Sequence, residues 1–89
     1  MITISSEEFR NLMGQSAIQR GLGSYDVAAG VLEGMIHLFD QPAKEIALLQ
    51  LIYVYNDAGN SAKCKEYAEE LAMYDPEIPS VKKVLASYK

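Results

Sequence analysis

The run Ala47-Leu48-Leu49-Gln50-Leu51-Ile52-Tyr53-Val54-Tyr55 is apolar almost all round. A helix built from it has no face to give to water, so it has to lie inside a structure and be contacted on several sides. Because it falls near the middle of an 89-residue chain, helices apolar on one side only are required before and after it. A chain of this length makes a single domain, residues 1–89. Such a domain buries only about 60–65% of its unfolded surface, which leaves it marginal alone and better off with a partner.

The flanks meet this requirement. Ser5-Ser6-Glu7-Glu8 followed by Phe9 is a capping box, so a helix is predicted to start near Ser6. Its apolar residues Phe9, Leu12, Met13 and Ala17 recur at helical spacing until Gly21-Leu22-Gly23 ends it, and Gly14 inside it marks a weakness or a close-packing point. A second helix is predicted from about Tyr25 to Phe39, with Ala28, Val31, Leu32, Met35, Ile36 and Phe39 in one stripe. Gly30 and Gly34 each cost that helix roughly 1 kcal/mol against Ala, a loss that close packing would offset. Asp40-Gln41-Pro42 is a stop and a new start, opening the central helix from about Ala43 to Asp57. After Ala58-Gly59-Asn60 a fourth helix, about Ser61 to Tyr74, carries Cys64, Tyr67, Ala68, Leu71 and Tyr74 on one side, and Lys63, Lys65, Glu66, Glu69 and Glu70 on its solvated side. Asp75-Pro76-Glu77-Ile78-Pro79 breaks the chain before a short last helix, Ser80 to Lys89, with Val81, Val84, Leu85 and Tyr88 apolar. No period-two pattern occurs beyond Ile2 and Ile4, which makes the fold all-α.

Charge and hydropathy narrow the function classes. A net charge of −4 and no run of Lys and Arg argue against a nucleic-acid or anionic-membrane binder. The longest unbroken apolar run, Leu51 to Tyr55, is far short of the ~20 residues that span a bilayer. Met1-Ile2-Thr3-Ile4-Ser5 lacks a basic leader region, and the single Cys64 cannot form an internal disulfide, so a cytoplasmic location is expected. Chemistry has almost no purchase. His37 and Cys64 are the only residues of their kinds, and Glu66, Glu69, Glu70 and Asp75 have no histidine to join them as metal ligands. No phosphate loop follows a strand. The expectation is no enzyme, no metal and no cofactor.

Two segments rhyme. Leu22-Gly23-Ser24-Tyr25-Asp26-Val27-Ala28 with Leu32, Met35 and Ile36 can be laid on Ala58-Gly59-Asn60-Ser61-Ala62-Lys63-Cys64 with Ala68, Leu71 and Ala72, at an offset of 36 residues. A period in the mid-thirties, built of helix, glycine turn and helix, reads as a solenoid. The pattern resembles the tetratricopeptide (TPR) repeat. Gly23, Tyr25 and Ala28 match in the first repeat; Leu48, Leu51, Tyr55, Gly59, Ala68, Leu71 and Tyr74-Asp75-Pro76 match in the second. Ser61 and Cys64 replace the usual aromatic and alanine, Ile52 stands at a site usually small, and Gln15 and Ser16 stand in for the usual Leu and Gly/Ala. The resemblance implies about two antiparallel helix pairs plus a C-terminal capping helix, forming a fragment of a right-handed α-solenoid.

It also implies that the first helix of each pair lines a concave face. That face would hold Arg10, Met13, Ala17 and Arg20, then Ile46, Leu49, Tyr53 and Asn56, then Lys83, apolar in the middle and basic at its ends. Such a surface suits an amphipathic helix with anchors at i, i+3, i+4 and i+7; the competing reading packs Met13, Leu49 and Tyr53 on one another as core. Phe9, Ile46, Leu49, Tyr53 and Phe39 together exceed what two and a half repeats can cover. A small acidic chain of this kind is similar to the TPR-type chaperones of bacterial type III secretion that hold the needle subunit unpolymerised with a second small helical protein. That similarity implies a client helix in the groove and a co-chaperone docked on Phe9, Leu12 and Met13. A general TPR peptide adaptor and a self-associating structural protein remain as alternatives.

Overall fold

The computed structural model describes residues 4–87. Five α-helices follow in order: α1 Ser6–Gly21, α2 Tyr25–Glu33, α3 Gln41–Ala58, α4 Ser61–Tyr74 and α5 Pro79–Ser87, with a single 3-10 turn at Ile36–Leu38 between α2 and α3. No strand occurs among the described residues, so the protein is all-α. The expected extension of the last helix over Tyr88 and Lys89 lies outside the described residues.

Local chemistry sets the starts. Ser5 Oγ accepts from the Glu8 amide at 3.1 Å while Glu8 returns a carboxylate oxygen to the Ser5 amide, also at 3.1 Å, closing the capping box on α1. Asp40 caps α3 through the Ala43 amide at 3.0 Å, with Pro42 in the first turn, and Asn60 caps α4 through the Lys63 amide at 3.1 Å.

The two glycine corners are built alike. Gly23 (φ 80°) and Gly59 (φ 76°) are the only positive-φ residues among those described. The Gly23 amide donates to Arg20 O at 3.1 Å and that of Ser24 to Gln19 O at 2.9 Å; the Gly59 amide donates to Asn56 O at 3.2 Å and that of Asn60 to Tyr55 O at 2.9 Å. Each is a left-handed helix stop that satisfies the last carbonyls and turns the chain back. Across each helix pair a buried side chain bonds a backbone carbonyl at positions again 36 apart. In the first pair the buried Ser16 hydroxyl donates to Ala28 O at 2.8 Å; in the second the Cys64 thiol donates to Ile52 O at 3.6 Å. The donor has changed helix: Ser16 lies on the first helix of its pair and Cys64 on the second of its own.

The helices form two layers. Successive helices pack on one another, and α1 also meets α3; Tyr53 reaches from α3 to Ser80 of α5, which puts α1, α3 and α5 in one row, and Tyr67 of α4 reaches Glu33 at the end of α2 in the other. The Cα extents of 37 × 29 × 17 Å describe a slab of this thickness. The central helix α3 is shared by two clusters. Leu48 and Ile52 pack with Cys64, Ala68, Leu71 and Val81, while Leu51 and Val54 pack with Ala28, Ala29 and Leu32, all of them at 0–1% exposure. Burial falls short of the all-round cover its composition predicts: Ile46 is exposed, and Leu49 and Tyr53 are only partly buried.

The second helix departs from the sequence expectation. It ends at Glu33 rather than running on to Phe39, because the chain tightens there: the Gly34 amide donates to Gly30 O, that of Met35 to Leu32 O, and the 3-10 turn follows. Two factors make the break favourable. Glycines at positions 30 and 34 weaken helix continuation, and the Glu33 carboxylate is held by the hydroxyls of Tyr55 and Tyr67 from α3 and α4. Phe39, freed from the helix, folds back edge-on to Phe9 with ring centroids 5.0 Å apart and is only 9% exposed. It therefore does not add to the uncovered apolar surplus.

Close packing does not offset the cost of the helical glycines. A methyl added at Gly14 or Gly30 would meet nothing within 4 Å, and at Gly34 only the Gly30 carbonyl, at 3.3 Å. Gly30→Ala is expected to raise stability by about 0.5–1 kcal/mol, since it removes unfolded-state freedom without a clash. Urea denaturation followed by circular dichroism measures this; a loss of stability would mean that α2 needs a glycine at position 30.

Candidate partner-binding face

The free side of the α1–α3–α5 row is organised around Tyr53. Its hydroxyl is 2.8 Å from Ser80 Oγ of α5, and its ring lies under the Arg20 guanidinium of α1, 5.4 Å from the centroid. One partly buried side chain thus ties the central helix to both neighbours. Between α3 and α5 it borders a cleft of about 170 Å³ lined by Ile52, Asn56, Ser80, Lys83, Val84 and Ser87 as well. A second, more open depression between α1 and α3 is lined by Ala17, Arg20, Gly21, Gln50 and Asp57.

Residues expected along the groove fall into three groups. Arg10, Ala17, Ile46, Asn56 and Lys83 are exposed, Ile46 at 52%. Leu49 and Tyr53 are partly buried: Leu49 leans on the Leu48 cluster, yet neither is sealed inside. Met13 is also partly buried and packs against the Ala28–Leu32 cluster. Arg20 differs from expectation in one respect. Its Nε lies 2.5 Å from Asp57 Oδ2, so its charge is answered within the chain. The cations on this face without an ion-pair partner among the described residues are Arg10 and Lys83.

Phe9, Leu12 and Met13 turn inward as much as outward. Phe9 packs on Phe39, and Leu12 and Met13 lean on the Ala28–Leu32 cluster. The strongly exposed apolar side chains of α1 and its cap are instead Ile18 at 62% and Leu22 at 72%. Sequence periodicity passed over them because, with Gly14, they run along a face of α1 off the Phe9–Leu12–Met13 stripe.

On the opposite layer, Glu33 accepts from both Tyr55 and Tyr67, whose rings stack at 5.8 Å with 15° between planes. Burial, and then the bond to the Glu33 carboxylate, pushes the Tyr55 hydroxyl up from 10.0 to about 12; the same causes raise Tyr67. A raised phenol pKa means the folded state holds its proton more tightly than the unfolded state. The resulting stability is complete below pH 10 and is lost as pH rises toward 12. Tyr55→Phe is expected to be less stable at pH 8, with the gap closing between pH 10 and 12. Parallel urea titrations across that range measure this, and a gap independent of pH would contradict the assignment.

His37 is exposed in the 3-10 turn whereas Cys64 is wholly buried between α3 and α4. No group of three or more potential metal ligands assembles among the described residues. No helix among them is long and apolar enough to cross a membrane. Comparison with family models, curated proteins and solved structures finds no match for this chain.

Proposed function

We propose that this protein is a small TPR-like protein-binding chaperone, acting in the cytoplasm, that sequesters an amphipathic helix of a client on the α1–α3–α5 face. The TPR-type needle-subunit chaperones of type III secretion are the model for this reading. One observation supports it above the others. The middle of the row presents Ile46, Leu49 and Tyr53 to solvent in part or in full, in a domain small enough that exposed apolar area is a liability. The matched glycine corners and the matched crossings at Ser16 and Cys64 support the repeat on which the reading rests. A helix laid on such a face is held through anchors three and four residues apart. Covering those anchors would keep the client from assembling.

Ile18 and Leu22 favour a second contact surface on the outward side of α1. In this reading it carries the co-chaperone, replacing Phe9, Leu12 and Met13 as the centre of that interface. Purification of the untagged chain from its source, with mass identification of what accompanies it, tests the proposal. A small secreted helical subunit together with a second helical protein is the expected result. A monodisperse homodimer with no companion would instead favour the self-associating structural protein, and retention of a short synthetic peptide alone the general adaptor.

A further inference from the structure

The chain between α2 and α3 stays close to helical almost to its end. Gly34 (φ −69°, ψ −21°) and Met35 (φ −119°, ψ −8°) keep right-handed dihedrals, a 3-10 turn follows at Ile36–Leu38, and Phe39 is extended (φ −84°, ψ 143°). No left-handed residue stops α2 as Gly23 stops α1 and Gly59 stops α3. The Met35 amide donates to Leu32 O at 3.0 Å, that of Leu38 to Met35 O at 2.9 Å and that of Phe39 to Ile36 O at 3.1 Å, each three residues back. The amides of Ile36 and His37 have no acceptor among the described residues. With α2 carried on past Glu33, they would donate four residues back, to Leu32 O and Glu33 O. Two features hold the shorter helix. Gly34 and His37 are poor helix formers. Phe39 is docked: its ring meets Phe9 edge-on at 5.0 Å and, with Ile4, Phe9, Pro42 and Ile46, walls a recess of about 290 Å³ between the starts of α1 and α3.

We propose that residues 34–39 form a two-position latch. In the structure the tight turn keeps Phe39 against Phe9; in the other position α2 runs on through Leu38, and Phe39 swings out of the recess and leaves Phe9 uncovered beside the exposed Ile46. Helix geometry sets the size of the swing. A 3-10 helix turns about 120° per residue and an α-helix about 100°, so converting Met35–Leu38 rotates Phe39 by about 80° around the α2 axis, which breaks its edge contact with Phe9. The Glu33 carboxylate, held by the Tyr55 and Tyr67 hydroxyls, ties the end of α2 to α3 and α4 and confines the change to the residues beyond it. The long-helix position gains backbone bonds at Ile36 and His37 and gives up the burial of Phe39, two contributions of opposite sign. Glycine at position 34 keeps it the minor one.

Backbone NMR of the full chain tests this with two variants. The Gly34→Ala, His37→Ala double variant favours the long helix while leaving Phe39 in place; both positions are exposed, so no core contact is lost. Phe39→Ala removes the docked ring instead. In each, the Cα shifts of Ile36 and His37 are expected to move to those of the α2 interior, and their amides to exchange with deuterium about tenfold more slowly than in the parent chain. In the double variant the nuclear Overhauser contacts between the Phe9 and Phe39 rings should weaken at the same time, while the amides of α4 keep their parent shifts. Parent-like shifts at Ile36 and His37 in the double variant would overturn the proposal, whatever becomes of Phe39→Ala. So would a lengthened helix that keeps the ring contact, or a folded Phe39→Ala in which the 3-10 turn persists. Should Phe39→Ala fail to fold, the double variant decides alone.

Discussion

Leu51→Ala is expected to lower the unfolding free energy by about 2–5 kcal/mol, the range for emptying a buried leucine site. A domain of this size has on the order of 5–15 kcal/mol in all, so the loss removes a large fraction of its stability and lowers its melting temperature. Leu51 has no exposed surface and points from α3 into the cluster of Ala28, Ala29, Leu32 and Val54. The cavity left behind is walled by two alanines, which cannot extend to fill it, so relaxation is limited. Leu71→Ala, in the other cluster, should cost a similar amount, whereas Leu49→Ala, already partly in water, should cost less than half as much. Thermal and urea unfolding followed at 222 nm measures the difference. Equal losses at positions 49 and 51 would mean that Leu49 is core rather than part of the face.

A second large effect is expected on binding. Tyr53→Asp should weaken the co-purified client roughly thirtyfold, corresponding to the ~2 kcal/mol of an interface hot spot, because an aromatic ring at the centre of the face is replaced by a charge that the client would have to desolvate. The same change removes the bond to Ser80 and the stacking of Arg20, so some stability is lost as well. Ile46→Asp separates the two effects. Ile46 is 52% exposed, and its replacement should leave melting nearly unchanged while still weakening the client by tenfold or more. Loss of helicity in Tyr53→Asp together with unaltered client affinity in Ile46→Asp would remove the face from consideration.

Most of the architecture was legible in the sequence where local chemistry decides it. The Ser5–Glu8 capping box, the Gly23 and Gly59 corners and the span of α4 over Ser61–Tyr74 all follow from residues within one turn of the boundary. What was not legible depends on partners far along the chain. The early end of α2 involves Tyr55 and Tyr67, 22 and 34 residues beyond Glu33, and no periodicity records such a clasp. Arg20 read as one of the basic ends of the groove because its answer, Asp57, lies 37 residues away. Ile18 and Leu22 were missed for a different reason: they lie off the apolar stripe of α1, and their exposure is visible only once α2 is placed against that stripe. For the residues of the proposed face, the degree of burial was not readable from the sequence: Ile46 is exposed, whereas Met13, Leu49 and Tyr53 are partly buried.

Because α3 gives one side to each cluster, neither half of the molecule has an interior without it. Cutting the chain at Asn60 would strip Leu48 and Ile52 of their cover, and removing the first two helices would bare Leu51 and Val54. The protein should therefore melt in a single cooperative step, with the amides of α3 exchanging with deuterium only through global opening. A rod common to both clusters leaves neither of them a route to open alone.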